Sequence, residues 1–94
     1  MASSRAIAFS RFATWKNSKT VLRVTVFTKG GVPDIWQGQV FSVDESRDLV
    51  GVTDDASRKF SRIDLSEASF SVEARSVIAT HEIGWVRFEE LLVC

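Results

Sequence analysis

The chain has 94 residues, of which 45% are hydrophobic and 26% charged, and its twelve basic and twelve acidic side chains give a formal net charge of zero. This length supports one modest hydrophobic core, and the apolar content excludes a disordered chain, which would contain fewer apolar residues and carry more net charge. The balanced charge argues against a strong electrostatic binder of nucleic acid, because such modules usually carry a basic stripe or have a high isoelectric point.

The segment 4–16 is predicted to be an N-terminal helix. One apolar face follows from residues at i, i+4 and i+7, which are Ala8, Phe12 and Trp15. Ile7, Phe9 and Ala13 widen that face. A strand over residues 7–11 is the alternative interpretation.

The segment 21–28 alternates between apolar and polar side chains, with Leu22, Val24 and Val26 on one face, and this pattern predicts a strand. Residues 30–34, Gly-Gly-Val-Pro-Asp, are the strongest turn signal in the chain.

The next run, 35–43, does not alternate cleanly. Apolar side chains at positions 36 and 40 have one parity, those at 35, 41 and 43 have the other, and Gly38 lies among them. A glycine where the strand parity changes predicts a bulge or a sharp bend. We therefore expect one bent strand that serves two sheets of a small barrel.

Short strands are predicted for five further segments: 49–53, 59–65, 68–74, 77–80 and 85–93. The last of these segments is also compatible with a short helix. Short, regularly spaced strands behind one helix predict a small closed barrel, because closure is an economical way for a few strands to hide their edges.

Residues with catalytic or metal-binding chemistry are few. His81, the only histidine, lies in a polar turn, and Cys94, the only cysteine, is the last residue. A hydrolytic triad or a metal site needs more such groups. The sequence therefore predicts no enzyme activity, no metal and no cofactor.

No apolar run approaches the roughly 20 residues of a membrane-spanning helix. We expect no membrane partner and a cytoplasmic location. The first 20 residues contain no acid and are also typical of a transit peptide, although the helical interpretation is preferred.

The spacing of Gly38, Val40, Asp44 and Asp48 resembles the first motif of the Sm and Sm-like proteins, which include bacterial Hfq. In that motif an alternating strand leads to a glycine, and an aliphatic residue, an acid and an asparagine follow it at plus two, plus six and plus ten. Here the plus-ten position holds Asp48. The resemblance covers roughly residues 5–72.

This resemblance implies an N-terminal helix, a bent five-stranded barrel and assembly of copies into a cyclic ring through exposed strand edges. It also implies that the polar turn binds single-stranded RNA, which makes candidate ligand-binding residues of Asp44, Arg47, Asp48 and Phe41. Asp48 replaces the family's asparagine, and a second family motif expected near 66–68 is absent. The alternative is therefore a structural or protein-interaction oligomer that does not bind nucleic acid.

A second group of residues resembles the PilZ domains, β-barrels that bind cyclic di-GMP. Arg58 and Arg62 match the arginine pair of the PilZ signature, and Asp64 and Ser66 match its following Asp-x-Ser element. The two elements are almost contiguous here, and Ser69 replaces the final glycine. The resemblance implies nucleotide binding by these four residues as a further alternative.

These observations predict a single, mainly β domain. It consists of a helix over about residues 4–16, a strongly bent five-stranded barrel of Sm-like or SH3-like type over about 21–73, and a C-terminal extension over about 74–94 that adds a hairpin or a strand. The predicted function is that of a non-enzymatic, ring-forming homo-oligomer.

Overall fold

The structure is a computed structural model that describes residues 4–91. In this range one helix precedes eight strands. The elements are α1 (Ser4–Ser18), β1 (Leu22–Thr28), β2 (Asp34–Gly38), β3 (Val40–Asp44), a 3₁₀ turn (Glu45–Arg47), β4 (Leu49–Asp54), β5 (Lys59–Asp64), β6 (Ser69–Val72), β7 (Ser76–His81) and β8 (Gly84–Glu90). Cys94 and the end of the strand predicted over 85–93 lie outside the described residues.

The N-terminal helix is confirmed, and it continues to Ser18. Its buried side chains are Ala8, Phe9, Phe12 and Trp15. Ile7 is 44% exposed, so the expectation that it belongs to the buried face is wrong. The Phe12 ring packs edge-on against Phe88 at a centroid distance of 4.8 Å, which joins the helix to β8.

The larger sheet has five strands in the order β2-β1-β8-β7-β6, and all its neighbouring strands are antiparallel. β1 pairs with β8 along its whole length, from Leu22 opposite Glu90 to Thr28 opposite Gly84. The segment predicted as a C-terminal extension therefore contributes β7 and β8 to the interior of this sheet.

The predicted closed, five-stranded barrel is wrong in its strand number and in its closure. The described chain has eight strands in two sheets. The physical reason is the pairing of β1 with β8, which occupies the edge of β1 that a closing fifth strand would need. The coarser prediction, a mainly β fold behind an N-terminal helix, is confirmed.

The smaller sheet has the order β3-β4-β5, and the bend predicted at Gly38 joins it to the larger sheet. β2 ends at Gly38 in the five-stranded sheet, and β3 starts at Val40 in the three-stranded sheet. A Cβ atom on Gly38 would overlap the carbonyl oxygen of Thr53, so only glycine allows this close approach. The register also shifts at Phe41, which adds a bulge.

The core lies between α1 and the inward faces of the two sheets. Its buried side chains are Ala8, Phe9, Phe12, Trp15, Leu22, Val24, Val40, Val50, Val52, Leu65, Val77, Ala79, Val86 and Phe88. Trp15 is also anchored at its polar atom, because its indole N–H donates to a carboxylate oxygen of Glu90 at 3.0 Å.

β5 is an end strand of the smaller sheet and β6 is an end strand of the larger sheet, and these two strands do not pair with each other. The segment 65–68 connects these strands, and it is closed by a hydrogen bond from the Ala68 N–H to the Leu65 carbonyl at 3.2 Å. Within residues 4–91, β5 and β6 therefore each have one edge that no other strand pairs.

Within residues 4–91, no helix has both the length and the apolar character needed to span a membrane.

Candidate interaction surfaces

The polar turn at Asp44–Asp48 is tied to the N-terminal helix by Arg5. The Arg5 guanidinium donates to Asp48 through Nε at 2.9 Å and also through Nη2, and its Nη1 lies 3.5 Å from a carboxylate oxygen of Glu45. The hydrogen bond with Asp48 raises the pKa of Arg5 above its ordinary value. The Asp48 carboxylate is therefore engaged within the molecule.

The backbone explains much of the sequence of this turn. Asp48 follows the 3₁₀ turn with φ of 55°, in the left-handed region, where aspartate is more favourable than most non-glycine residues. The Ser46 hydroxyl donates to Asp44 Oδ1 at 2.7 Å, and Arg47 Nε lies 3.7 Å from Asp44 Oδ2. These contacts stabilise the turn itself.

The structure brings together only part of the predicted RNA-binding set. Asp44 and Arg47 are ion-paired with each other, and Asp48 is paired with Arg5. Phe41 packs against Phe60 on the outward face of the three-stranded sheet. Arg5 was missed by sequence reasoning because no local pattern links it to a turn that lies about forty residues further along the chain.

The residues that match the PilZ signature are arranged as turn and strand elements. Arg58 has φ of 58° in the turn before β5, and Arg62 lies on β5. Asp64 Oδ1 accepts a hydrogen bond from the Ser66 N–H at 2.9 Å, and this bond lowers the pKa of Asp64 below its ordinary value. Asp64 and Ser66 are thus brought together as a turn cap.

A groove of about 580 Å³ lies beside this turn. Three carboxylates line it, those of Asp64, Glu67 and Glu82, together with His81, the last residue of β7. Such a lining repels phosphate, so the groove does not suit a cyclic dinucleotide. Within residues 4–91 no three His, Cys, Asp or Glu side chains are grouped to hold a metal ion.

The free edges of β5 and β6 carry different charges. Arg58, Lys59 and Arg62 lie on β5 or directly before it, and none of the three forms an ion pair with another residue of the described range. β6 is polar at Ser69 and Ser71, and Glu67 and Glu73 flank it. One edge is therefore basic, whereas the other has acidic ends.

The outward face of β5 also carries the most exposed aromatic ring of the described chain. Phe60 is 71% exposed, and it contacts Phe41 edge-on at a centroid distance of 4.9 Å. Phe41 lies over Gly51, where a Cβ atom would come within 2.6 Å of the Phe41 Cζ atom. We call Phe41, Arg58, Lys59, Phe60 and Arg62 the Phe60 patch.

The outward face of the five-stranded sheet differs from the Phe60 patch in its charge pairing. Arg23 and Arg87 both lie near the Glu89 carboxylate, at 3.8 and 2.8 Å. Phe27 and Trp85 stack on each other across β1 and β8, with ring centroids 5.6 Å apart. The cations and aromatic rings of this face are therefore partly satisfied by one another.

Comparison with protein-family models, curated proteins and solved structures finds no match to this chain.

Proposed function

We propose that the protein is a non-enzymatic interaction module that assembles with copies of itself by pairing the free edge of β5 with the free edge of β6 of the next copy. The observation that carries this proposal is that β5 and β6, end strands of different sheets, each have one edge that no other strand within residues 4–91 pairs. An unpaired edge presents a row of main-chain donors and acceptors that another strand satisfies by sheet extension.

The charges of the two edges support a contact between unlike strands. Two copies of β5 would bring Arg58, Lys59 and Arg62 against their own counterparts, which is unfavourable. The acidic residues at the ends of β6, Glu67 and Glu73, complement these cations. We therefore favour a β5–β6 contact over a symmetric β5–β5 contact.

A β5–β6 contact is head-to-tail, since each copy uses its β5 edge to contact one neighbour and its β6 edge to contact another. Repetition of such a contact gives a ring if the rotation closes and a filament if it does not. The resemblance to the Sm-like proteins, which form rings through strand edges, supports the closed form.

RNA binding by Asp44, Arg47, Asp48 and Phe41 stays a prediction, and the engagement of Asp48 by Arg5 does not favour it. The same holds for nucleotide binding by Arg58, Arg62, Asp64 and Ser66, because carboxylates surround Asp64 and Ser66. A cytoplasmic location also stays a prediction.

The test of assembly is size-exclusion chromatography with light scattering at micromolar concentration. The wild-type protein is expected to have a molar mass that is a multiple of the 10.5 kDa of one chain.

The hydrogen-bond pattern of β6 identifies a residue that points to the free edge. The Glu73 N–H donates to the Ser76 carbonyl at 2.8 Å, so Glu73 and every second residue before it bond to β7. The N–H of Val72 therefore points to the free edge. Val72→Pro therefore removes an edge donor without removing a bond to β7.

The matched control is Val72→Ala, which loses the same packing but keeps the N–H. We expect Val72→Ala to remain assembled and Val72→Pro to be a folded monomer. A wild-type protein that is monomeric at these concentrations, or a Val72→Pro variant that assembles like the wild type, would show that the β6 edge is not the contact.

A further inference from the structure

We infer that the Phe60 patch is a binding site for single-stranded nucleic acid, with a base stacked on Phe60 and phosphates contacted by Arg58, Lys59 and Arg62. This site is centred on Phe60, on the outward face of the three-stranded sheet, and extends to the start of β5. It does not include Asp44, Arg47 or Asp48. It also differs from the β5–β6 contact, because edge pairing uses the main chain of β5 and leaves the outward side chains uncovered.

The first argument is the exposure of Phe60. A phenylalanine on a sheet face that nothing covers leaves most of its ring in water, and here 71% of the residue is accessible. Phe41 supports the ring from one side at 62° between the planes, and Gly51 makes room for Phe41. The ring is therefore held by its neighbour while its remaining surface is open to a flat partner such as a base.

The second argument is charge complementarity. Phe60 and Arg62 are alternate residues of β5 and therefore lie on one face of the strand. Arg58 belongs to the turn before β5 and Lys59 alternates with Phe60, so these two cations are placed by the groove that they share with Phe60 and not by strand parity. Lys59 and Arg58 line the same groove as Phe60. These three cations form no ion pair within residues 4–91, in contrast to Arg23 and Arg87 of the other sheet, so an anionic backbone can contact them without breaking pairs inside one copy.

Two acids at the end of β4 and the start of the β4–β5 turn limit the path of the ligand. Asp54 Oδ1 accepts hydrogen bonds from the N–H groups of Ala56 and Ser57 at 3.0 and 3.3 Å, which offsets part of its charge. Asp55 lines the same groove, and its one hydrogen-bond donor is the Thr53 hydroxyl at 3.5 Å. The strand of nucleic acid therefore runs along β5 toward Arg62 and away from Asp55.

A nucleic acid fits this surface better than an acidic peptide does. A peptide anchors an apolar side chain in a pocket, whereas the Phe60 ring protrudes from the sheet. A base needs only the open surface of a ring, and stacking of this kind tolerates different sequences. Basic groups beside an aromatic ring are the usual elements of single-strand binding.

The experiment is fluorescence anisotropy of a labelled oligo(U) of about 12 nucleotides, a length typical of such sites, titrated with the full chain at low salt. Phe60→Ser should weaken binding by about 5- to 150-fold, since stacking on one ring contributes that much per base. Phe60→Trp should retain or strengthen binding. Three phosphate contacts predict a logarithmic salt slope of about −2, so binding weakens roughly 20-fold between 50 and 200 mM salt.

Arg62→Gln and Arg87→Gln form a matched pair of variants. Arg62→Gln should weaken binding and reduce the salt slope, whereas Arg87→Gln, on the other sheet, should leave both unchanged. Asp55→Asn should strengthen binding because it removes a repulsive charge. Circular dichroism of each variant checks that the fold is retained. We expect it to be retained because these side chains are exposed.

Several results would overturn the inference: no binding at low salt, equal binding by Phe60→Ser and the wild type, or equal competition by polyglutamate, which has the charge without the bases. The monomeric Val72→Pro variant keeps the Phe60 patch, so failure of assembly and failure of nucleic-acid binding are measured separately.

Discussion

Replacement of Gly38 by alanine tests the bend that joins the two sheets. The added Cβ atom would overlap the Thr53 carbonyl oxygen, which belongs to the main chain of β4 and cannot rotate away. Three hydrogen bonds also tie Thr53 to the bent strand: its N–H donates to the Gln39 carbonyl at 2.9 Å, its hydroxyl accepts from the Gln39 N–H at 2.9 Å, and its carbonyl accepts from the Trp36 indole at 3.1 Å. Relief of the overlap must lengthen some of these bonds.

The expected loss of stability combines the cost of overpacking with the cost of weakened hydrogen bonds. Overpacking of a tight site costs about 1–3 kcal/mol, and each weakened hydrogen bond costs about 0.5–1.5 kcal/mol. We therefore expect Gly38→Ala to lower the free energy of unfolding by about 3 kcal/mol. For 94 residues the total is about 5–14 kcal/mol, so this loss is a large fraction of the stability.

Urea denaturation followed by circular dichroism measures this change. Gly31→Ala is the matched control, because a Cβ atom there lies 3.4 Å from the Thr28 carbonyl oxygen and meets no hard overlap. We expect the control to change stability by less than about 0.5 kcal/mol. A loss below about 1 kcal/mol for Gly38→Ala would refute the assignment of Gly38 as a close-approach glycine.

Three further predictions concern polar contacts of the fold. Trp15→Phe should lower stability by about 1–3 kcal/mol, because it leaves the Glu90 carboxylate without its indole donor, whereas Trp85→Phe should change it little because the stack on Phe27 is retained; urea denaturation distinguishes the two. Arg5→Gln should lower the unfolding midpoint at low salt, and the difference should shrink at 1 M salt as charges are screened. Asp64→Ala should lower the midpoint at pH 7. The folded pKa of Asp64 is depressed, so this contribution is present above the unfolded value of about 3.8 and is lost as pH falls through the lower folded value. A difference between wild type and variant that does not shrink as the pH falls from 7 to 2 would contradict the assignment.

The local features of the fold were predictable from the sequence. Leu22 and Val24 are buried on one face of β1, as their alternation indicates. The parity change around Gly38 located the bend, because side-chain alternation cannot continue through a change of sheet. The end of α1 was placed two residues early, since the last turn at Asn17–Ser18 has little helical propensity of its own. There the Ser18 hydroxyl donates back to the Thr14 carbonyl at 2.9 Å.

The order of the strands in the sheets could not be predicted from local sequence patterns. The pairing of β1 with β8 joins the first strand of the described chain to the last, and no local pattern specifies a partner at such a separation. The same limit applies to the candidate sites. The contact of Arg5 with Asp48 depends on how α1 packs over β3, and the Phe60 patch depends on the bulge at Phe41.

The pairing of β1 with β8 has a consequence for the order of events during synthesis. β1 has β2 on one side as soon as the first hairpin forms, but its other edge stays open until β8 has been made. A nascent chain that ends before β8 therefore exposes a long apolar strand on which a helper protein, or another nascent chain, can pair. Because this contact also spans most of the sequence, we expect folding to be slower than in a helical protein of the same size, with completion of β8 as the late step.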